Sequence, residues 1–493
     1  MALQCYVREF SPLARAFGRR LMLMLAGLGL GNMAAFATTQ EDDPMLLHSG
    51  EKLEVRAHVQ AGLNLVSERR LFWNLADTTA PDSGFDSDAD WLEGYLEPGL
   101  SFKKTFGQSV FYGKFSGVVS STLGTDAYDA ADTGRATLEE VYLGLGTRTV
   151  GGLEVDVSLG AQELKLGTGM LVANGGSSGF ERGALKFGPR KAWEMAAIAH
   201  LSSDGVTGTL FYLDPNELSS NDTGSELAGV DVRYDGSGGG FLGLTYLNVL
   251  ESGSPYPQAA PGGIGAPIIL ENGRDGLEAV SLYARTGPLD GVLRHAFFAF
   301  DMAYEWNPRI DLEAWAGRVQ AGITFDDLGW TPQLTYSYQL FSGDDPETPE
   351  LERFDPLYYE GSPSAWATGS KSSMVFINSN VQAHGLALRL RPTPQDTVTL
   401  RIAHIRVDEL LSPIQFGQAT RVDFSDGVST VVSGVTAGHL SDDVFLEYSR
   451  IINRNTFLTA GFSVSLPGAG IESVVAGDTP EWTGGFLNVV VNY

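Results

Sequence analysis

Apolar and polar residues alternate along much of the chain with a period of two. Across residues 53–65, Leu53, Val55, Ala57, Val59, Ala61, Leu63 and Leu65 are interleaved with Glu54, Arg56, His58, Gln60 and Asn64. A strand projects successive side chains to opposite faces, so this segment has one face for oil and one for water. The same alternation sets Gln333, Thr335, Ser337 and Gln339 against Leu334, Tyr336, Tyr338 and Leu340, and Thr459, Ser463 and Ser465 against Leu458, Phe462, Val464 and Leu466. Extended along the chain, it predicts eighteen strands. The first nine lie near 51–66, 90–104, 108–120, 136–147, 151–166, 182–200, 204–214, 225–235 and 239–250. The second nine lie near 276–287, 293–307, 310–325, 329–341, 375–392, 396–408, 441–451, 454–466 and 483–493. No window of comparable length carries a capped 3.6-residue period, so helix is scarce.

Connections between these strands alternate in length. Those after even-numbered strands are short, as at Gly107, 148–150, 201–203, 236–238 and 452–453. Those after odd-numbered strands are mostly long and polar, as at 67–89, 121–135, 167–181, 251–275, 342–374, 409–440 and 467–482. The connection near Pro308 is short where the pattern calls for a long one. Tight turns at one end and loops at the other are the asymmetry of bacterial barrels with periplasmic turns and extracellular loops. The expected fold is therefore all-β: a transmembrane antiparallel β-barrel of about 18 strands.

The ends change the picture from sandwich to membrane barrel. Arg8, Arg15, Arg19 and Arg20 precede an apolar run, 21–33, and Ala35-Phe36-Ala37 follows, the layout of a secretory signal cleaved after Ala37. The run is too short to span a bilayer as a helix. The expected organisation is a signal peptide over 1–37, a short periplasmic segment over 38–50 and the barrel over 51–493. The chain ends on an aromatic, Tyr493, with Val491, Val489 and Leu487 on its face and Asn492 and Asn488 on the other. That ending resembles the C-terminal signal read by outer-membrane assembly machinery, and the expected location is the outer membrane of a Gram-negative bacterium.

Cys5, the only cysteine, lies inside the signal, which leaves no disulfide, thiolate metal site or cysteine nucleophile in the mature protein. Removing four Arg and Glu9 from 33 basic and 60 acidic residues leaves 29 and 59, a net charge of −30. Such a balance is unsuited to nucleic acid.

With the apolar face turned to lipid, the inward residues can be named. Leu386, Leu388 and Leu390 outward set Arg389 and Arg391 inward; Val398, Leu400 and Ile402 outward set Arg401 inward on the next strand. The same reading places Arg56, Arg233, Arg285 and Arg318 in the lumen. Acidic residues gather instead in the loops, among them Asp82, Asp86, Asp126, Asp129, Asp344, Asp345 and Glu347. Arginine binds carboxylate bidentately and keeps its charge, so these seven residues form a candidate track for an anionic substrate. The alternative is pairing with lumenal Glu54, Glu140, Glu154 and Asp156 to stiffen the wall.

The stretches "RFDPLYYEG" at 353–361 and "INSNVQAHGLALRLRPTPQDTVTLRIAHIRVDEL" at 377–410 resemble the alginate-export family of outer-membrane β-barrels. The resemblance rests on Phe354, Pro356, Leu357 and Tyr358 in a loop, Asn380 near a strand start, Pro392 at a turn and His404 late in the next strand. Ala161 departs from it, standing where the family has a basic residue. It implies an eighteen-stranded exporter with an Arg-lined constriction passing an anionic polysaccharide such as alginate, fed by a periplasmic scaffold. The alternative function is an uptake porin for small anions or organic acids, which calls for a long loop folded into the barrel.

Other motifs carry less. Gly175–Gly179 satisfies G-x-S-x-G, but in an expected surface loop rather than a strand-to-helix elbow, and no catalytic role is assigned. Asp86, Asp88, Asp90 and Glu97 copy EF-hand positions, yet Trp91 stands where the sharp turn needs Gly; the acidic loops carry an expectation of weak Ca²⁺ capture only, with no other cofactor. His58 and His404 are expected in the lumen as hydrogen-bonding residues.

Overall fold

The computed structural model describes residues 44–79, 84–149, 151–236, 238–287, 289, 291–361, 366–369, 376–414, 424–425, 428–429, 434–475 and 477–493. The expected signal peptide and Asp82 lie outside these residues. Eighteen antiparallel strands close into a barrel. They are β1 Leu53–Arg69, β2 Ala89–Phe106, β3 Ser109–Gly124, β4 Gly134–Arg148, β5 Glu154–Gln162 and β6 Trp193–Ser203. Next come β7 Val206–Asp214, β8 Glu226–Asp235, β9 Phe241–Glu251, β10 Glu278–Arg285, β11 Ala296–Asn307 and β12 Leu312–Thr324. The circuit ends with β13 Gln333–Phe341, β14 Val381–Thr393, β15 Asp396–Val407, β16 His439–Asn453, β17 Thr456–Pro467 and β18 Trp482–Asn492. Each strand pairs with its sequence neighbours, and β18 returns to β1 in register Gln60↔Asn492 through Arg69↔Thr483. Closure satisfies backbone groups that lipid could not.

Beyond Tyr493, the remaining edge of β1 is covered by a short strand, Leu46–Ser49, paired from Leu46↔Arg56 to Ser49↔Glu54. Ala57 N–H donates to the Met45 carbonyl at 2.8 Å, and Val59 N–H to the Tyr493 carbonyl at 3.0 Å.

Outward positions are the large apolar ones. Leu65, Leu143, Leu159, Leu210, Met302, Val319 and Phe462 are each half-exposed or more. A continuous apolar belt of this kind marks a lipid contact rather than a soluble surface. Tyr304 and Trp306 stack in that belt at 5.8 Å, near Tyr246, toward the loop side. No helix among the described residues is long and apolar enough to cross a membrane; the strands cross it.

Strand β6 begins later than predicted. Residues 182–192 contain Gly183 and Gly188 at positive φ and Pro189, and their amides bond to inward carboxylates instead of a strand ladder. The short connection near Pro308 is genuine, since Asn307 and Leu312 are directly paired across it.

Candidate channel lumen

Eighteen strands leave an interior too wide for wall side chains alone to fill. Two loops enter it. On one side, residues 182–192 are tied to inward-facing positions of β1 to β4. Lys186 Nζ lies 3.0 Å from Glu68, both side chains under 8% exposed. Glu93 accepts the Lys186 and Phe187 amides at 3.0 and 2.8 Å, and Glu139 accepts those of Lys191 and Ala192 at 2.7 and 2.9 Å. Arg190 donates to Thr137 Oγ1, Ser120 Oγ and the Arg135 carbonyl. On the other side, Thr168 donates to Asp301 on β11, and Gly167 lies so close to the Tyr283 ring on β10 that no side chain would fit. Because β2 and β11 stand on opposite walls of the eighteen-stranded circuit, loop 163–192 spans the lumen.

Loop 342–380 packs against it. Trp366 donates from Nε1 to the Thr168 carbonyl at 2.9 Å, and Val172 bridges to Tyr358. Above these, Trp73, Trp482, Tyr128, Phe180 and Phe376 form aromatic contacts that knit further loops together. The G-x-S-x-G segment lies in this packing rather than on the surface: Gly175 abuts Trp193 and Gly176 abuts the Arg190 backbone.

All seven predicted arginines are on inward-facing strand positions, but their surroundings differ. Arg56 is bound by Glu54 at 2.6 Å, and Arg233 by Asp235 at 2.7 Å with its guanidinium over Phe241. Arg318 is 6% exposed, bonded to Asp301 at 3.0 Å and covered by Trp366 at 3.6 Å, so it anchors the inward loops. Arg401 stands 3.7 Å from Glu447. Arg285 lies over the Phe297 ring. The guanidinium groups of Arg389 and Arg391 have no hydrogen-bond or ion-pair partner among the described residues; opposite Arg389, β13 presents Gln333 and β15 presents Thr399. Of the expected lumenal acids, Glu154 pairs with Arg148, Glu140 with Lys114, and Asp156 accepts the Tyr112 hydroxyl.

Arg56, Arg233, Arg285, Arg389 and Arg391 lie near the turn end of their strands, whereas the loops at the other end are rich in carboxylates. His58 faces inward as expected and bonds Ser101 Oγ at 2.6 Å. His404 does not. It stands in the outward row with Leu400 and Ile402, because the parity that sends Arg401 into the lumen sends position 404 out.

Residues 303–442, from β11 to the start of β16, match the family profile described as alginate export. The match spans that stretch and not the chain as a whole. The residues that announced it in the sequence prove to be loop anchors. Phe354 and Leu357 are fully buried. Between them, Asp355 is held bidentately by Arg274 at 2.7 and 3.0 Å, and its amide donates to Glu305 at 2.9 Å. Asn380, buried and at φ 51°, donates to the Glu409 and Ser412 carbonyls at 3.1 and 3.2 Å and accepts the Glu409 amide at 2.8 Å. Together they fasten Arg274, the segment 353–361 and residues 408–412 to one another above the barrel. Ala161, where the sequence departs from the resemblance, stands opposite outward-facing Val141.

The chain is similar to solved structures of Pseudomonas aeruginosa OccK5 (OpdH), at 11% identity and TM-score 0.48 over 89% of this chain and 98% of that one. It is also similar to Pseudomonas aeruginosa OccK7 (OpdD), at 12% identity and TM-score 0.46 over 90% and 99%, and to Pseudomonas putida OprB, at 10% and 0.44 over 89% and 94%. No curated protein matches the sequence.

Proposed function

We propose that this outer-membrane channel exports an anionic polysaccharide, with alginate-like polyuronates as the substrate class. The observation that carries the reading is the group Arg389, Arg391 and Arg401: two guanidinium groups without partners beside a third held only at 3.7 Å, on adjoining strands of the lumen wall. Such groups offer bidentate, permanently charged contacts to successive carboxylates. The place of Arg389 and Arg391 near the periplasmic turns, below an acidic outer rim, gives a field that draws a polyanion in from the periplasm and discourages its return. Arg285 extends the charged wall; Arg56 and Arg233, already paired with carboxylates, have less charge to offer. Delivery to such a mouth calls for a periplasmic scaffold. The barrel-assembly machinery and outer-membrane lipid are the other partners this reading requires.

A second reading, uptake of small anions or organic acids, is favoured by loop 163–192, which narrows the lumen from wall to wall. Single-channel recording of the purified protein distinguishes the two. Block by polyuronate added on the periplasmic side, weakened ~10-fold in Arg389→Ala with Arg391→Ala, is the expected result for lost bidentate contacts. Block by short dicarboxylates alone, unchanged in the double variant, would replace export with uptake.

A further inference from the structure

On the outside of the wall, β15 and β16 bring three metal-ligating side chains together where loop 408–438 leaves and re-enters the barrel. His404 stands directly opposite Asp442, in the row that holds Ile402 and Val444 toward lipid. A register irregularity between Ile405 and Arg406 sets His439 beside them, its ring stacked on that of His404 with centroids 4.7 Å apart and planes at 24°. Asp442 bridges both rings: one carboxylate oxygen is 2.7 Å from His404 Nδ1, the other 3.2 Å from His439 Nε2. One donor atom from each residue falls within 4.8 Å of the others, and the side chains are 31–46% exposed at the loop end of their strands. His439 Nε2 is itself buried and makes no hydrogen bond among the described residues, although the Asp442 carboxylate stands 3.2 Å away. A buried ring nitrogen beside a carboxylate oxygen, with no hydrogen bond between them, suits a shared cation.

We propose that His404, His439 and Asp442 form a binding site for a divalent transition metal of the zinc class. Two imidazoles and one carboxylate are the donor set that Zn²⁺ and its neighbours accept, and three protein ligands leave an outward coordination position open to water or an external ligand. Calcium and magnesium, which take six or more oxygens, are poorly served. His404 precedes loop 408–438 and the other two ligands follow it, so a bound ion staples the two feet of that loop. Arg406, opposite His439 in register, is the neighbouring cation and limits affinity.

The test uses the untagged full chain, folded in detergent, stripped with chelator and titrated with Co²⁺ and then Zn²⁺ at neutral pH. One equivalent of Co²⁺ per chain, with visible absorption and displacement by Zn²⁺, is expected, and affinity should fall ~10-fold or more in His404→Ala and in His439→Ala separately. His200→Ala, on β6 and bonded to Thr209, should leave it unchanged. Migration of the folded barrel on unheated gels reports that each variant is intact. Absence of saturable binding, or binding that survives in both folded histidine variants, overturns the proposal.

Discussion

Asp126 shows how a carboxylate in an acidic loop can be anything but solvated. It is 1% exposed, and one oxygen accepts the Tyr128 and Ala130 amides at 2.9 and 3.2 Å while the other has no partner among the described residues. Burial pushes its pKa up to about 6, against the two amides, which favour the charge. The folded loop therefore binds the proton more tightly than the unfolded chain, whose carboxyl titrates near ~3.9. Local stability rises as pH falls from about 6 toward 4 and is lost above that window. Hydrogen exchange at Tyr128 and Ala130 should slow between pH 7 and pH 5 after correction for intrinsic rates, and Asp126→Asn should remove the dependence. Arg274 and Asp355 test the opposite case, a buried pair with 1% and 6% of their side chains exposed. Asp355→Ala removes the carboxylate that holds a buried guanidinium bidentately, at a cost of roughly 3–5 kcal/mol. The loops over the pore should become protease-sensitive while the barrel still migrates as folded.

Among the elements, the strands were legible because lipid on one side and water on the other enforce a period of two over ten or more residues. Loop 163–192 was not. Its tethers to Glu68, Glu93, Glu139 and Asp301 join positions far apart in sequence, and acidic residues at 93 and 139 read equally well as ordinary lumenal polarity. Gly183, Gly188 and Pro189 were the available sign that strand pairing stops there. Likewise, Phe354 and Asn380 could be recognised as a signature, but not as anchors, since a motif shows which residues recur and not what they touch. If the tethers hold the loop across the lumen, Glu93→Ala with Glu139→Ala should raise single-channel conductance and noise together. Unchanged conductance would mean that the remaining contacts hold the loop alone.

At the scale of the whole lumen wall, Arg56, Arg233, Arg285, Arg389 and Arg391 stand toward the turn end, while the loops at the other end are rich in carboxylates. Selectivity built on such a field should fade as salt rises, because the screening length shrinks from about 10 Å at 0.1 M to about 3 Å at 1 M. Reversal potentials under a fixed KCl gradient should show stronger anion preference at low concentration, and Arg285→Ala with Arg389→Ala should flatten that difference. The strand count followed from sequence, whereas the His404 cluster did not, because 35 residues separate it from His439 and only the register reunites them. The seam has its own consequence. Since β18 reaches β1 only as far as Gln60 and Leu46–Ser49 covers the stretch below, the cylinder is finished by two segments far apart in sequence. Deleting residues 46–49 would leave a bare hydrogen-bonding margin at the turn end, open to capture by a strand from a neighbouring molecule.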